Sequence, residues 1–320
     1  MFIRVPDRFA VALLTIVTFI GAGCGGQMPD RDFSATVERP AFVADHPRVL
    51  FDEAHNNLHT TTGTYKPFVD LLTRDGYAVV SNKEPFSRKV LEGFSTLVIS
   101  NARGIEKKFG PAFTEEECST VEEWVRGGGS LLLIADHYPI GSATEILSKH
   151  FGVGMSNGFT NDSLHSDSPT RSRLNGHSQL VFSRENGLLG DHAITRGRDS
   201  SEKVDRAIAF TGQSLKGMEN AVSFLTLAPS AYDIVPDSIW EERSLIFFSS
   251  TYTRFSDPIS AAGRSQGLAL GFGKGRVVVL GEAAMLTAQI VRQERFGMQV
   301  SGNDNRQLAL NIMHWLSGVL

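Results

Sequence analysis

Gly128-Gly129-Ser130-Leu131-Leu132-Leu133-Ile134-Ala135-Asp136-His137 is the stretch on which the fold turns. Glycines stop one element, apolar residues then run without a break, and two polar side chains emerge together. Alternation would mark a strand with one face in water. An unbroken apolar run, Leu131–Ile134, suits a strand buried on both faces, as in a parallel sheet covered by helices. The carboxyl ends of such strands share one edge, and ligands bind in the crevice outside it. Asp136 and His137 are therefore candidate site residues.

Working outward, the pattern repeats. The helix Thr114–Arg126 opens with a Thr-x-x-Glu capping box, Thr114 to Glu117, and ends at the glycines. Before it come strands at Arg48–Phe51, Tyr77–Val80 and Thr96–Ser100. Helices at Gly63–Arg74 and Ser87–Glu92 separate them, with Pro67 tolerated in a first turn. A helix at Ser142–His150 follows. This alternation predicts an α/β fold with a doubly wound, mainly parallel sheet and helices on both faces. Residues 152–200 lose the periodicity in a run of Ser, Asn, Asp, Gly and Arg and read as an irregular insertion or lid. Strands return at Ala207–Thr211, Val222–Leu227 and Leu245–Ser249. A β-hairpin, Gly267–Phe272 and Arg276–Leu280, and a helix, Asn303–Ser317, close the chain. Residues 47–320 are expected to form one domain.

Other strand ends carry chemistry too. Asp52, Glu53, His55 and Asn56 follow the first strand, Asn101 and Arg103 the strand at Thr96–Ser100, and Glu282 the second arm of the hairpin. Glu53, His55, Asp136, His137 and Glu282 are the candidate catalytic groups, as acids and bases or as ligands of a metal of undetermined identity. Asp52, Asn56, Asn101, Arg103 and, from the irregular region, Asn157 are candidate ligand-binding residues. The competing reading is structural, with Asp52 or Glu53 capping the next turn and His55 bonding locally. His55 and His59 stand four apart, but Asn56 replaces the Glu of a zinc-protease helix, and Thr60-Thr61-Thr62-Gly63 argues against a helix there. No Ser or Cys occupies the turn at Asp136-His137, so a covalent Ser or Cys mechanism has little support. Asn303-Asp304-Asn305 reads first as a helix-capping cluster.

The first residues stand apart. Arg4 and Arg8 precede the twelve-residue apolar run Phe9–Ile20, and Gly21-Ala22-Gly23 leads to Cys24. This is the layout of a secretory signal peptide, residues 1–23. Cys24 after Ala-Gly resembles the lipobox of bacterial lipoproteins, although Gly21 replaces the usual Leu. That resemblance implies lipidation at Cys24, a membrane partner, and a place in the cell envelope facing the periplasm or the exterior. Residues 24–46 read as a flexible tether. Cys118, the other cysteine, shares a helical face with Val121 and Val125 and reads as a buried, inert thiol. The net charge of −4 and pI near 6.1 give no footprint for nucleic acid.

Three stretches carry a further resemblance: Val49-Leu50-Phe51-Asp52-Glu53-Ala54-His55, Tyr65-Lys66-Pro67-Phe68 and Gly128–His137. Together they resemble a bacterial family of domains of unknown function with the class I glutamine amidotransferase-like, flavodoxin-like fold. Gly271–Val277 and the closing Asn-Arg-x-Leu-Ala-Leu-Asn-x-x-His-Trp-Leu are similar to the end of that superfamily, shared with trehalose-utilisation and gliding-motility or transporter auxiliary proteins. The amidotransferases use a Cys where this chain has Asp136-His137, so glutaminase activity is not implied. Some relatives accompany carbohydrate-active modules, which makes a sugar or envelope glycan the implied ligand class. A binding module of this kind predicts a pocket of aromatic and neutral polar groups. The alternatives are a hydrolase, which predicts convergent carboxylates and imidazoles, and an envelope scaffold, which predicts an exposed apolar patch. No cofactor is specified.

Overall fold

A computed structural model describes residues 26–104, 110–167, 179–210, 212–243, 249–291 and 293–320. Its central strands are β1 (Arg48–Asp52), β2 (Ala78–Asn82), β3 (Thr96–Ser100), β4 (Ser130–Ile134), β5 (Ser265–Phe272) and β6 (Gly275–Leu280). The main helices are α1 (Lys66–Arg74), α2 (Glu115–Gly127), α3 (Ile140–His150) and α4 (Asn305–Leu316). The sheet runs β2-β1-β3-β4-β6-β5 and continues through Leu215–Lys216 to Gly154–Met155, with Val222–Thr226 paired to β5. The pairings from β2 through to β6 are parallel, and β5 returns antiparallel to β6. The result is a mixed α/β fold with a central, mostly parallel sheet.

The apolar runs pack in two directions because side chains alternate across a strand. Val49, Phe51, Val98, Leu132, Ile134, Val278 and Leu280 meet Phe68, Leu71 and Leu72 of α1 and Leu308 and Ile312 of α4. Leu50, Leu97, Ile99, Leu131, Leu133, Val277 and Val279 meet Cys118, Val121 and Val125 of α2 and Leu147 of α3. Burial on both faces is what the unbroken run at Leu131–Ile134 requires. Cys118 is fully buried, and burial, reinforced by the nearby Glu115 and Glu117 charges, pushes its thiol up to about 12. In the native protein Cys118 is expected to resist iodoacetamide at about pH 8 and to react once guanidinium unfolds the chain, with mass spectrometry counting the adducts. Rapid native labelling would contradict this packing.

Local details depart from the expectations for identifiable reasons. Helix α1 begins at Lys66 rather than Gly63, because residues 60–65 close two successive turns, Gly63 N–H to Thr60 O and Lys66 N–H to Gly63 O. The capping box of α2 forms as read, with Thr114 and Glu117 exchanging bonds. Asp304 does not cap α4 through its side chain. Its carboxylate accepts the Asp205 and Arg206 N–H groups, and Asn305 pairs both ways with the Ile208 backbone at 2.9 and 2.8 Å. Asp304 and Asn305 therefore anchor the strand Arg206–Ala209, while Asn303 Oδ1 accepts the Asn305 N–H at the start of α4.

The irregular region contains short ordered pieces. Phe159–Asn161 pairs with Tyr232–Ile234, and Leu180–Ser183 with Arg206–Ala209, while residues 168–178 lie outside the described residues. Most of the strand expected at Leu245–Ser249 also lies outside them; on either side Pro236–Arg243 and Ser249–Phe255 pair antiparallel. That ribbon was hidden from periodicity because it is held by backbone pairing and leaves Ile239 exposed. Residues 27–46, expected as a tether, lie along the domain. Gln27–Pro29 pairs with Ala288–Val291, and Phe33, Ala35, Val37 and Phe42 pack on the core. The signal segment and Cys24 fall outside the described residues, among which no helix is long and apolar enough to cross a membrane.

Candidate functional site

At the end of β1 the chain folds back on itself and buries His55 between two carboxylates. Its Nδ1 lies 2.9 Å from both oxygens of Asp52, and its Nε2 lies 2.8 Å from Oε1 of Glu117 in α2. Phe86 and Phe113 pack against the ring with centroids 4.6 and 4.7 Å away. Asn57 donates to Asp52, and Glu117 also accepts the Thr114 and Phe86 N–H groups. Burial opposes charge on the imidazole, but Asp52 and Glu117 outweigh it and raise its pKa. Burial likewise opposes charge on Glu117 and is outweighed by the bonds from Thr114, His55 and Phe86, so that carboxyl is held low. Both nitrogens of His55 are thus committed to an ionic knot. Glu53 is committed as well, accepting Thr61 N–H and Oγ1–H at 2.7 Å each and pairing with Lys83.

A second group gathers at the ends of β4 and β6. Glu282 is fully buried, and its two oxygens accept the Ala284 and Met285 N–H groups at 2.7 Å. Burial first, then the charge of Asp136, drives its carboxyl pKa well above the ordinary range. The carboxyl of Asp136 accepts the His137 N–H at 2.9 Å. His137 Nδ1 donates to Tyr138 O at 2.7 Å, which fixes the tautomer and leaves Nε2, 4.0 Å from Asp136 Oδ1, as the basic nitrogen. The ring stacks on Phe159 at 4.3 Å and keeps a quarter of its side chain exposed. His59 belongs near this group, although spacing alone links it only to His55. It is buried against Tyr65, its Nδ1 lies 2.5 Å from Thr64 Oγ1, and burial lowers its pKa to about 4, so it is neutral.

Three of the expected binding residues, Asn56, Asn101 and Asn157, have positive φ, a conformation Asn tolerates better than other side chains. Each turns the chain sharply past a strand or helix end. Asn101 Oδ1 accepts the Asp136 N–H, joining the ends of β3 and β4. Arg103 donates to the Asn56 carbonyl and side chain, clamping two loops together. Asn157 Oδ1 accepts the Ser142 N–H in the first turn of α3, and its own N–H donates to Gln213 Oε1 at 2.8 Å. Gln213 Nε2 donates to the Ala135 and Asp136 carbonyls. Nothing in the sequence around Gln213 marks this role.

Beside this bracing lies a cavity of about 450 Å³, lined by Tyr138, Ser142, Asn157 and Pro236–Ile239. It sits where β4 passes into α3, in the crevice beyond the strand ends. Tyr138 meets Phe255 edge-on at 5.9 Å, and Phe255 meets Phe159 at 5.6 Å, so rings run from the cavity to His137. The hairpin residues of its outer wall were not among the expected site residues. Among the described residues no group of three or more His, Cys, Asp or Glu side chains could hold a metal ion.

No family model and no curated protein matches the chain. Solved structures do. The mmIFT52 N-terminal domain aligns over 84% of this chain and 97% of its own, with 15% identity and a TM-score of 0.56. A putative ThuA-like protein from Bacteroides uniformis covers 87% and 94%, with 13% identity and a TM-score of 0.44. A putative GMP synthase component from Thermoplasma acidophilum covers 87% and 97%, with 10% identity and a TM-score of 0.42. At these identities the likeness is one of fold.

Proposed function

We propose that this protein is a binding module that holds a small polar ligand, of the sugar or envelope-glycan class, in the crevice beyond the strand ends. The observation that carries the reading is the composition of the 450 Å³ cavity: the Tyr138 ring, the neutral hydroxyl and amide groups of Ser142, Ser238 and Asn157, apolar Pro236 and Ile239, and Asp237, whose carboxylate is paired with Arg254. Sugars present apolar ring faces and hydroxyl edges, which suit aromatic and neutral polar partners. The commitments of Glu53 and His55 add support, since groups locked in structural bonds are poorly placed for proton transfer. The reading includes a doubly wound amidotransferase-like fold without its Cys, a lipid on Cys24, and a position on the outer side of a membrane. A hydrolase built on Asp136, His137 and Glu282 is the second reading, favoured by the partly exposed His137 ring beside Asp136 and by the buried Glu282, whose carboxyl pKa is pushed up by burial and by the Asp136 charge.

Calorimetric titration with trehalose, maltose, chitobiose and muropeptide fragments tests the first reading. At least one is expected to bind, and Tyr138→Ala to weaken it tenfold or more, about 1.4 kcal/mol. Absence of binding at tens of millimolar sugar, or equal affinity in Tyr138→Ala, would remove the cavity from consideration. Cleavage of a fragment that stops in His137→Ala would move the hydrolase into first place.

A further inference from the structure

On the far side of α4 from the central strands, residues 34–39 cross the helix and roof a second cavity of about 420 Å³. Three arginines line it, Arg39, Arg198 and Arg306, each from a different part of the chain, together with the carboxylates of Glu38 and Glu202. Two have built-in counterions. Arg39 pairs with Asp199 at 2.8 Å, and Arg198 pairs with Glu202 through two of its nitrogens. Arg306 is different. Its guanidinium donates to the Thr36 carbonyl, it forms no ion pair among the described residues, and its Nε is buried without a partner. His314, about two turns further along the same helix and fully buried, also carries an unpartnered atom. Its Nε2 lies 2.7 Å from Asp75, and its Nδ1 has no partner. Buried polar groups are otherwise almost always bonded, so the Arg306 Nε–H marks a missing acceptor, whereas His314 Nδ1, opposite the nitrogen that donates to Asp75, marks a missing donor such as a hydroxyl.

We infer that this cavity is an anion site for a small phosphate ester, held by Arg306 with Arg39 and Arg198 on either side. A planar guanidinium with free N–H groups matches phosphate oxygens in paired bonds. Hydroxyls of Ser34, Thr36 and Ser201 line the same space and suit the ester's polyol part. A lone inorganic ion would leave much of the volume empty. The same chemistry has two sources, a free phosphate ester or the headgroup of an anionic lipid, and the roofing segment follows Cys24 closely in sequence.

The full chain in a neutral detergent is titrated calorimetrically with glycerol 3-phosphate and with inorganic phosphate, and is co-sedimented with phosphatidylglycerol and phosphatidylcholine vesicles after detergent removal. Glycerol 3-phosphate is expected to bind more tightly than inorganic phosphate, with Arg306→Gln raising its Kd tenfold or more and Arg306→Lys restoring part of the loss. Arg39→Gln, at an exposed position and safe for folding, is expected to weaken binding as well. Binding of the ester without preference for phosphatidylglycerol identifies a free metabolite. Sedimentation with phosphatidylglycerol alone, lost in Arg306→Gln, identifies a headgroup. No binding of either phosphate at tens of millimolar together with no preference between the vesicles, or binding unchanged in both arginine variants, overturns the site.

Discussion

Replacing His55 with alanine is expected to destabilise the protein by about 3–5 kcal/mol, the usual cost of breaking a buried ion pair from one side. The loss arises less from the missing contact than from what is left behind. Asp52 is fully buried and Glu117 nearly so, and both face the vacated imidazole position. Guanidinium denaturation measures the effect, and a midpoint change worth less than about 1 kcal/mol would mean that the knot is not a buried charge cluster. The pH dependence carries its own sign. Folding raises His55 above the ordinary 6.5, so its contribution is complete below that value and fades as pH rises through the raised one. Folding lowers Glu117 below the ordinary 4.5, so its contribution is complete above that value and fades as pH falls through the lowered one. The difference between wild type and His55→Ala is therefore expected to peak between about pH 4.5 and 6.5 and to shrink towards pH 9.

Replacing Gln213 with alanine is expected to cost about 2–4 kcal/mol and to disable the proposed ligand cavity in the same step. One side chain satisfies the Ala135 and Asp136 carbonyls and the Asn157 N–H, all behind the β4–α3 turn. Its removal takes a bond from each of three polar groups, and Asn157, whose Oδ1 accepts the Ser142 N–H of α3, loses the backbone anchor that positions it. Thermal denaturation should show the loss of stability, and titration with the best ligand of the wild type should show affinity reduced at least tenfold. Stability lost with affinity retained would separate Gln213 from the cavity. Neither changing would mean that water replaces the amide.

Much of the fold was legible in local pattern. The strands at Thr96–Ser100 and Leu131–Ile134 and the capping box at Thr114 are set by interactions within a few residues: apolar runs, a cap, terminating glycines. The site was legible only as a place. Its residues do stand at the strand ends, yet sequence could not distinguish an acid–base group from a structural one. His55 reads as a catalytic imidazole until Glu117, sixty-two positions later, occupies its second nitrogen. Asp304 and Asn305 read as part of a cap until the strand at Arg206 takes their acceptors, which leaves Asn303 alone to accept the first N–H of α4. The Pro236–Phe255 ribbon escaped notice because backbone pairing needs no periodic apolar stripe in the sequence.

By itself, then, the sequence determined the secondary elements that carry their own local instructions, the mostly parallel sheet they imply, the edge along which the candidate site residues stand, and the burial of Cys118. Tertiary structure decided which polar side chains are spent on holding that edge and which remain open. Protonation and availability depend on what lies across the fold, in partners brought together from segments whose spacing holds no trace of the contact.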